Sequence, residues 1–421
     1  MIKIIVPLII SLVFVLDIYW WRMAHLRFKP LKHARFWQWV VGIFTIMMTL
    51  LLITRLLPPS WSRRINEHVP LIFIGGQYLW HLSVLPISLA ILLGSRFISS
   101  GIIRLRSAFR RPSAPLSQAA PAGDGEIKSP TRREILRAAS MSIPPLIWGG
   151  MVAKSMSQIG SYRVREMDVN LPTLPREFDG LTVAHLSDFH AGQFMTNAMM
   201  RDIVSRTNDM QTDLVVITGD LIDYALRDLQ PALDALKGLR PKFGLQDGVA
   251  MCMGNHDIIE NRFTFKSACA NNGLPVLANS SRLLNIKGRT LELMAVDWCM
   301  TDLMTDNALY ETSKTRNADA FQILLAHHPH TFDQAARLNF PLTLSGHTHG
   351  GQIMLNPQHG IGSIKFRYLS GLYQKRNDNN NLSQLVVSNG IGNWFPLRIN
   401  APAEIVRLTL RRKPDASVQP Q

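Results

Sequence analysis

The chain has 421 residues, with 45 Lys+Arg against 30 Asp+Glu and a formal net charge of +15. The excess sits at one end: residues 1–159 hold 19 basic and 5 acidic side chains, the remainder 26 and 25. Basic charge flanking long apolar runs is how membrane proteins distribute it, and a near-neutral remainder argues against a nucleic-acid partner.

The first 100 residues predict three membrane-spanning helices, at about 4–21, 36–53 and 69–93, each close to the roughly 20 apolar residues a bilayer requires. Asp17 is the one acid inside them, and its place near a helix end predicts that it reaches polar surroundings. Residues 101–137 read as a basic, flexible linker, rich in Ser, Ala, Pro and Gly over 107–130. Within it, Thr131-Arg132-Arg133-Glu134-Ile135-Leu136-Arg137 resembles a twin-arginine export signal. A fourth anchor is expected over 138–157, interrupted by Pro144 and Pro145. Residues 22–36 carry five Lys/Arg and no acid, and residues 96–137 carry nine. Positive loops stay cytoplasmic, so these two lie inside, and a multi-pass chain in a bacterial inner membrane presents its C-terminal domain on the outer face.

From Val164 to Arg411 the pattern changes to short apolar runs alternating with helical stretches, ahead of a tail at 412–421 expected to be disordered. Leu181–Leu186, Leu214–Thr218, Val249–Met253, Ile323–Ala326 and Leu342–Ser345 predict buried strands. Asn197–Met210 and Leu229–Leu239 predict helices between them. Later runs at 282–286, 291–296, 384–388 and 405–410 lack intervening helices and are expected to pair antiparallel. The fold class is α/β: a two-sheet sandwich with helices outside, preceded by an all-α transmembrane region. Cys252, Cys269 and Cys299 form no CxxC pair and read as buried apolar thiols.

Five polar clusters follow the strands: Ser-Asp-Phe-His at 187–190, Gly-Asp-Leu-Ile-Asp at 219–223, Gly-Asn-His-Asp at 254–257, Ala-His-His-Pro at 326–329 and Gly-His-Thr-His-Gly at 346–350. Loops at the carboxyl ends of strands gather at one edge, so distant clusters can meet. Asp188 and His190 are two apart and can turn to one ion, while Asp220 can give one oxygen to each of two ions. Asn255 offers an amide oxygen, His327 an imidazole, and His347 and His349 can each serve a different metal. Nitrogen and oxygen donors without thiolate favour Mn, Fe, Zn or Co. Two such ions activate water against phosphorus and clamp its oxygens. His256 is placed to protonate the leaving oxygen, with Asp257 expected to orient that ring. Asp223 is expected to support the Asp220 loop, and His185 to be a plain strand residue.

At these residues the chain resembles the calcineurin-like metallophosphoesterase superfamily, whose Asp-x-His, Gly-Asp-x-x-Asp, Gly-Asn-His-Asp/Glu, lone His and Gly-His-x-His elements all occur in order. Gly-His-Thr-His-Gly-Gly-Gln-Ile at 346–353 and Ser-Asn-Gly-Ile-Gly-Asn-Trp-Phe-Pro-Leu-Arg-Ile-Asn at 388–400 are similar to its YkuE/YaeI-like membrane-associated phosphodiesterase branch. The resemblance implies an αββα sandwich and two metal positions. One would be held by Asp188, His190, Asp220 and His349, the other by Asp220, Asn255, His327 and His347, with His256 catalytic. His328 and His330 flank His327, and the family's ligand precedes x-Pro, which selects His327. A phosphoester is the implied substrate, and the branch brings with it a lipid-linked or envelope compound such as a UDP-diacylglucosamine-like pyrophosphate. The related UDP-2,3-diacylglucosamine hydrolases, however, carry Arg where His256 stands. The competing reading is a catalytically idle metal-binding sensor on a membrane receptor or transporter-like module; the intact ligand set and His256 argue against it.

Overall fold

The computed structural model describes residues 2–54, 61, 65, 69–94, 131–158 and 160–413, less 193, 357–358, 361 and 394–396. Linker residues 101–130 and tail residues 414–421 lie outside the described residues. The chain divides into two compact units, Met1–Lys154 and Ser155–Gln421.

The first unit is helical: α1 (Ile2–Phe28), α2 (Ala34–Ile53), α3 (Ile72–Gly94) and most of α4 (Arg132–Gln158). Among the described residues, α2, α3 and α4 are long and apolar enough to cross a membrane. The arginine pair is helical, not linker. Thr131 accepts from the Glu134 amide while the Glu134 carboxylate accepts from the Thr131 amide, a reciprocal cap that starts α4 at Arg132. The two prolines lie within α4, which runs on past them.

Asp17 departs from expectation. It is fully buried and accepts from Trp80 Nε1 (3.0 Å) and Thr49 Oγ1 (3.3 Å), with His81 Nε2 at 2.8 Å. Trp80 and His81 lie in a π-helical turn, Trp80–Val84, a local widening that often marks a functional or structurally demanding position. A carboxylate among apolar helices is costly unless it is partnered, and here α2 and α3 both partner it. Asp17→Leu is expected to weaken the helical unit by about 2–3 kcal/mol. The measurement is the midpoint of SDS-induced unfolding followed by tryptophan fluorescence, and an unshifted midpoint would remove Asp17 from the packing.

The second unit contains two mixed sheets. The strands are β1 (Tyr162–Asn170), β2 (Thr182–Leu186), β3 (Leu214–Thr218), β4 (Val249–Cys252), β5 (Ser280–Ile286), β6 (Arg289–Ala295), β7 (Phe321–Leu325), β8 (Leu342–Ser345), β9 (Gly371–Arg376), β10 (Leu382–Val387) and β11 (Ala403–Arg411). One sheet has the order β1-β11-β2-β3-β4, the other β5-β6-β7-β8-β10-β9. Alternation divides each strand between two cores. In β3, Leu214 and Val216 join Leu293, Ile323 and Leu344 of the facing sheet, whereas Val215 and Ile217 pack with helix residues such as Ile203 and Leu233. Those residues belong to α5 (Asn197–Asp209) and α6 (Leu229–Leu236). Helices α7 (Arg262–Asn271), α8 (Asp302–Ser313) and α9 (Thr331–Arg337) follow, with short helical turns at Gly244–Gly248 and Gly362–Lys365.

The later strands are not uniformly antiparallel. β5–β6, β9–β10 and β11–β2 are, but β6 runs parallel to β7, β10 to β8, and β11 to β1. The parallel pairs join strands separated by long excursions, which counting helices between successive runs does not detect. The consequence for function is the loop arrangement: β2, β3 and β4 are mutually parallel, as are β7 and β8, and every polar cluster leaves the end of one of them.

Candidate metal centre

Three of the five loops turn abruptly off their strands. Asp188, His190, Asp220, His347 and His349 all have left-handed backbone, with φ of 54°, 48°, 53°, 70° and 50°. This conformation costs a non-glycine residue about 1–2 kcal/mol, and it clusters where surrounding structure enforces it for function. The enforcement is visible: the amides of Asp188, His190 and Ala191 donate to the carbonyls of Gly219, Asp220 and Leu221, zipping the two loops together. Gly254 and Gly346 allow close approach. A Cβ at Gly254 would overlap Asp220 Oδ1, and one at Gly346 would overlap Ser187 Oγ and Asp188 Oδ2.

The five loops bring all seven expected ligands near one another. His190 Nε2 lies 3.1 Å from His349 Nε2 and 3.6 Å from Asp220 Oδ2. His349 Nε2 is 3.5 Å from Asp188 Oδ1. On the other side, His327 Nε2 is 3.1 Å from Asp220 Oδ2, from Asn255 Oδ1 and from His347 Nδ1. Donors bound to one ion at about 2.0–2.2 Å, at angles between octahedral and tetrahedral, lie about 3–3.6 Å apart. The observed spacings fit that requirement. Donor atoms of Asp188, His190 and His349 form one group within 4.8 Å, and those of Asp220, His327 and His347 form another. A third group, His190, Asp220 and His256, joins the two.

The electrostatics fit a cation too. Burial pushes His190, His347 and His349 below the ordinary imidazole value, which leaves neutral rings with a free lone pair. Burial also raises Asp188. For His327, burial would depress the ring, but the Asp220 carboxylate outweighs it and lifts the group to about 10. Asp220 is held low by the same contact, against the upward push of its own burial. Metal binding at such groups releases protons.

His256 lies at the junction, with Nδ1 2.5 Å from the Asp223 carbonyl oxygen and 3.6 Å from Asp223 Oδ1. Asp257 is engaged by backbone. Its carboxylate accepts from the backbone amides of Asp220, Leu221, Ile222 and Gly254, fastening the β3 loop to the β4 loop. Asp223 holds the place expected for Asp257. Its side chain stands between His256 and His190, 3.4 Å from His190 Nδ1, and burial raises its carboxyl to about 7. Of the flanking histidines, His328 lies against His347 with ring centroids 4.6 Å apart and planes tilted by 47°, yet neither it nor His330 joins a donor group. His185 hydrogen-bonds Thr218 from within β2.

Residues 181–351 match the family model for calcineurin-like phosphoesterases. That segment is similar to calcineurin-like phosphoesterases. The chain is similar to the metallophosphoesterase YkuE of Bacillus subtilis, 29% identical over 309 residues that cover 68% of this chain and 99% of that protein. The metallophosphoesterase Cj0846 of Campylobacter jejuni is 31% identical over 258 residues, 59% of this chain and 63% of that one. A transmembrane protein with metallophosphoesterase domain from Danio rerio is 29% identical over 269 residues, 59% and 57%. The chain thus spans about three-fifths of the length of the latter two.

One residue of this metallophosphoesterase centre lies beyond the matched segment and was given no role from sequence. Arg398 is fully buried, and its guanidinium donates to Asn393 Oδ1 (2.6 Å) and to the carbonyls of Ala401 (2.9 Å) and Gly392 (2.7 Å). Its Nη2 is also 3.2 Å from His349 Nδ1. A guanidinium can only donate, so it fixes the His349 ring with Nε2 toward His190 and Asp188. It also braces the loop whose Gly392 amide donates to the Asp188 carbonyl. The available sequence signal was an arginine set between Leu397 and Ile399 in a stretch without other charge.

Proposed function

We propose that the chain is a membrane-anchored phosphoric ester hydrolase working with two divalent cations. The observation that carries this reading is Asp220, whose carboxylate faces both histidine groups. Asp188, His190, Asp220 and His349 would hold one ion, and Asp220, Asn255, His327 and His347 the other. Bound there, two ions supply Lewis acidity toward phosphoryl oxygens and lower the pKa of water. The all-nitrogen-and-oxygen donor set suits Mn, Fe, Zn or Co. His256 donates the proton to the leaving oxygen through Nε2, because its Nδ1 hydrogen is engaged by the Asp223 carbonyl. Asp257 and Arg398 hold the loops that keep the donors in place.

The apolar helices anchor the domain, and the basic segments at 22–36 and 96–137 set it on the outer face of the membrane. A substrate in that position is a lipid-linked or envelope phosphoester, concentrated at the surface where the enzyme is tethered. The test uses the full chain purified in detergent and loaded with Mn²⁺, with bis(p-nitrophenyl) phosphate and p-nitrophenyl phosphate as probes. Turnover is expected, lost with EDTA and restored by metal. Two bound ions with no turnover of either ester would favour the idle sensor instead.

A further inference from the structure

We propose that the cleft between α1 and α2 is a binding groove for one anionic phospholipid, independent of the phosphoesterase centre. The groove encloses about 600 Å³ and runs from Phe14 and Leu50 at one end to His25 and Arg35 at the other. Eleven residues of helix separate Phe14 from His25, so the trough is roughly 16 Å long, which suits an extended acyl chain.

Its polarity is distributed along one direction. Ile18, Ile43, Ile46 and Leu50 form an exposed apolar wall. The two hydroxyls on that wall are turned away: Thr45 Oγ1 donates to the Val41 carbonyl and Thr49 Oγ1 to Asp17. The remaining polar groups, His25, Arg35 and Gln38, all stand at the same mouth, where Gln38 Nε2 donates to the His25 carbonyl and ties the helices together. Among the described residues no carboxylate pairs with Arg35, and residues 22–36 contain no acid. Trp21 and Trp39 line the groove near that mouth, the depth at which amphipathic rings settle in a bilayer. Cationic mouth, interfacial tryptophans and apolar trough match a phosphate head, its ester region and an acyl tail in that order.

Gly42 makes the groove possible. A Cβ added there meets only Trp21 Nε1, at 3.7 Å, so a larger side chain enters the trough without displacing backbone.

The test is native mass spectrometry of the full chain released from mixed phosphatidylglycerol–phosphatidylcholine vesicles. The wild type is expected to retain one lipid, with phosphatidylglycerol favoured on the order of fivefold, the worth of one basic side chain at an anionic head. Arg35→Gln is expected to keep the lipid and lose the preference. Gly42→Leu is expected to lose the lipid, with metal content and ester turnover unchanged. Equal retention of both lipids by the wild type would overturn the proposal, as would an undiminished preference in Arg35→Gln. Retention of the lipid by Gly42→Leu would do the same. Should Gly42→Leu fail to fold, the wild-type and Arg35→Gln preferences decide the matter alone.

Discussion

Asp220→Asn is expected to lower metal content from two ions to less than one and turnover by about 10³-fold or more. The side chain is the hinge of the centre. Oδ2 stands 3.1 Å from His327 Nε2 and 3.6 Å from His190 Nε2, while Oδ1 accepts from the His256 amide at 2.8 Å. An asparagine keeps the shape but removes the negative charge and turns one acceptor into a donor, and a shared ligand cannot bridge two cations in that form. Because Asp220 is also the main charge that lifts His327, the substitution lowers that ring's pKa, and residual binding is expected in the second group only. Elemental analysis after dialysis provides the readout. Two ions held as firmly as in the wild type would reject the bridging role outright.

His256→Ala is expected to separate proton transfer from metal binding. The ring belongs to the group joining both metal positions, but its fixed contact is with the Asp223 carbonyl. Both ions therefore remain, while kcat falls about 10²–10⁴-fold, the range for losing a positioned acid. The loss is expected to grow with the pKa of the leaving phenol, since good leaving groups depart without a proton. Equal losses across a series of aryl esters would remove His256 from that role. The contrast with Asp257 is instructive: its carboxylate touches four backbone amides and no reacting group, so its replacement would disturb loops before chemistry.

How much of this was legible beforehand depends on the kind of signal. Buried strands such as β2, β3 and β8 announce themselves as apolar runs, and a polar cluster that follows each run directly is hard to misplace. Pairing direction was less accessible. β10 lies parallel to β8 and antiparallel to β9, a choice made by packing across the sheet, which no local pattern encodes. Side-chain roles split the same way. Candidate donors can be named because metal chemistry restricts residue type. The supports cannot, because Asp223 and Asp257 are both aspartates near His256, and only backbone geometry decides which one faces the ring. Asp17 and Arg398 share a lesson: a lone charge in an apolar stretch looked peripheral in one case and carried no role in the other, and each proved to be a buried hub.

The left-handed turns at Asp188, His190, Asp220, His347 and His349 have a last implication. Their cost is met by the neighbouring amides and carbonyls of the scaffold, so the donors are set in position by folding itself. A centre preassembled in this way asks little rearrangement of an arriving ion. Exchange of one cation for another then needs no refolding, and which element is resident becomes a question of what the compartment provides.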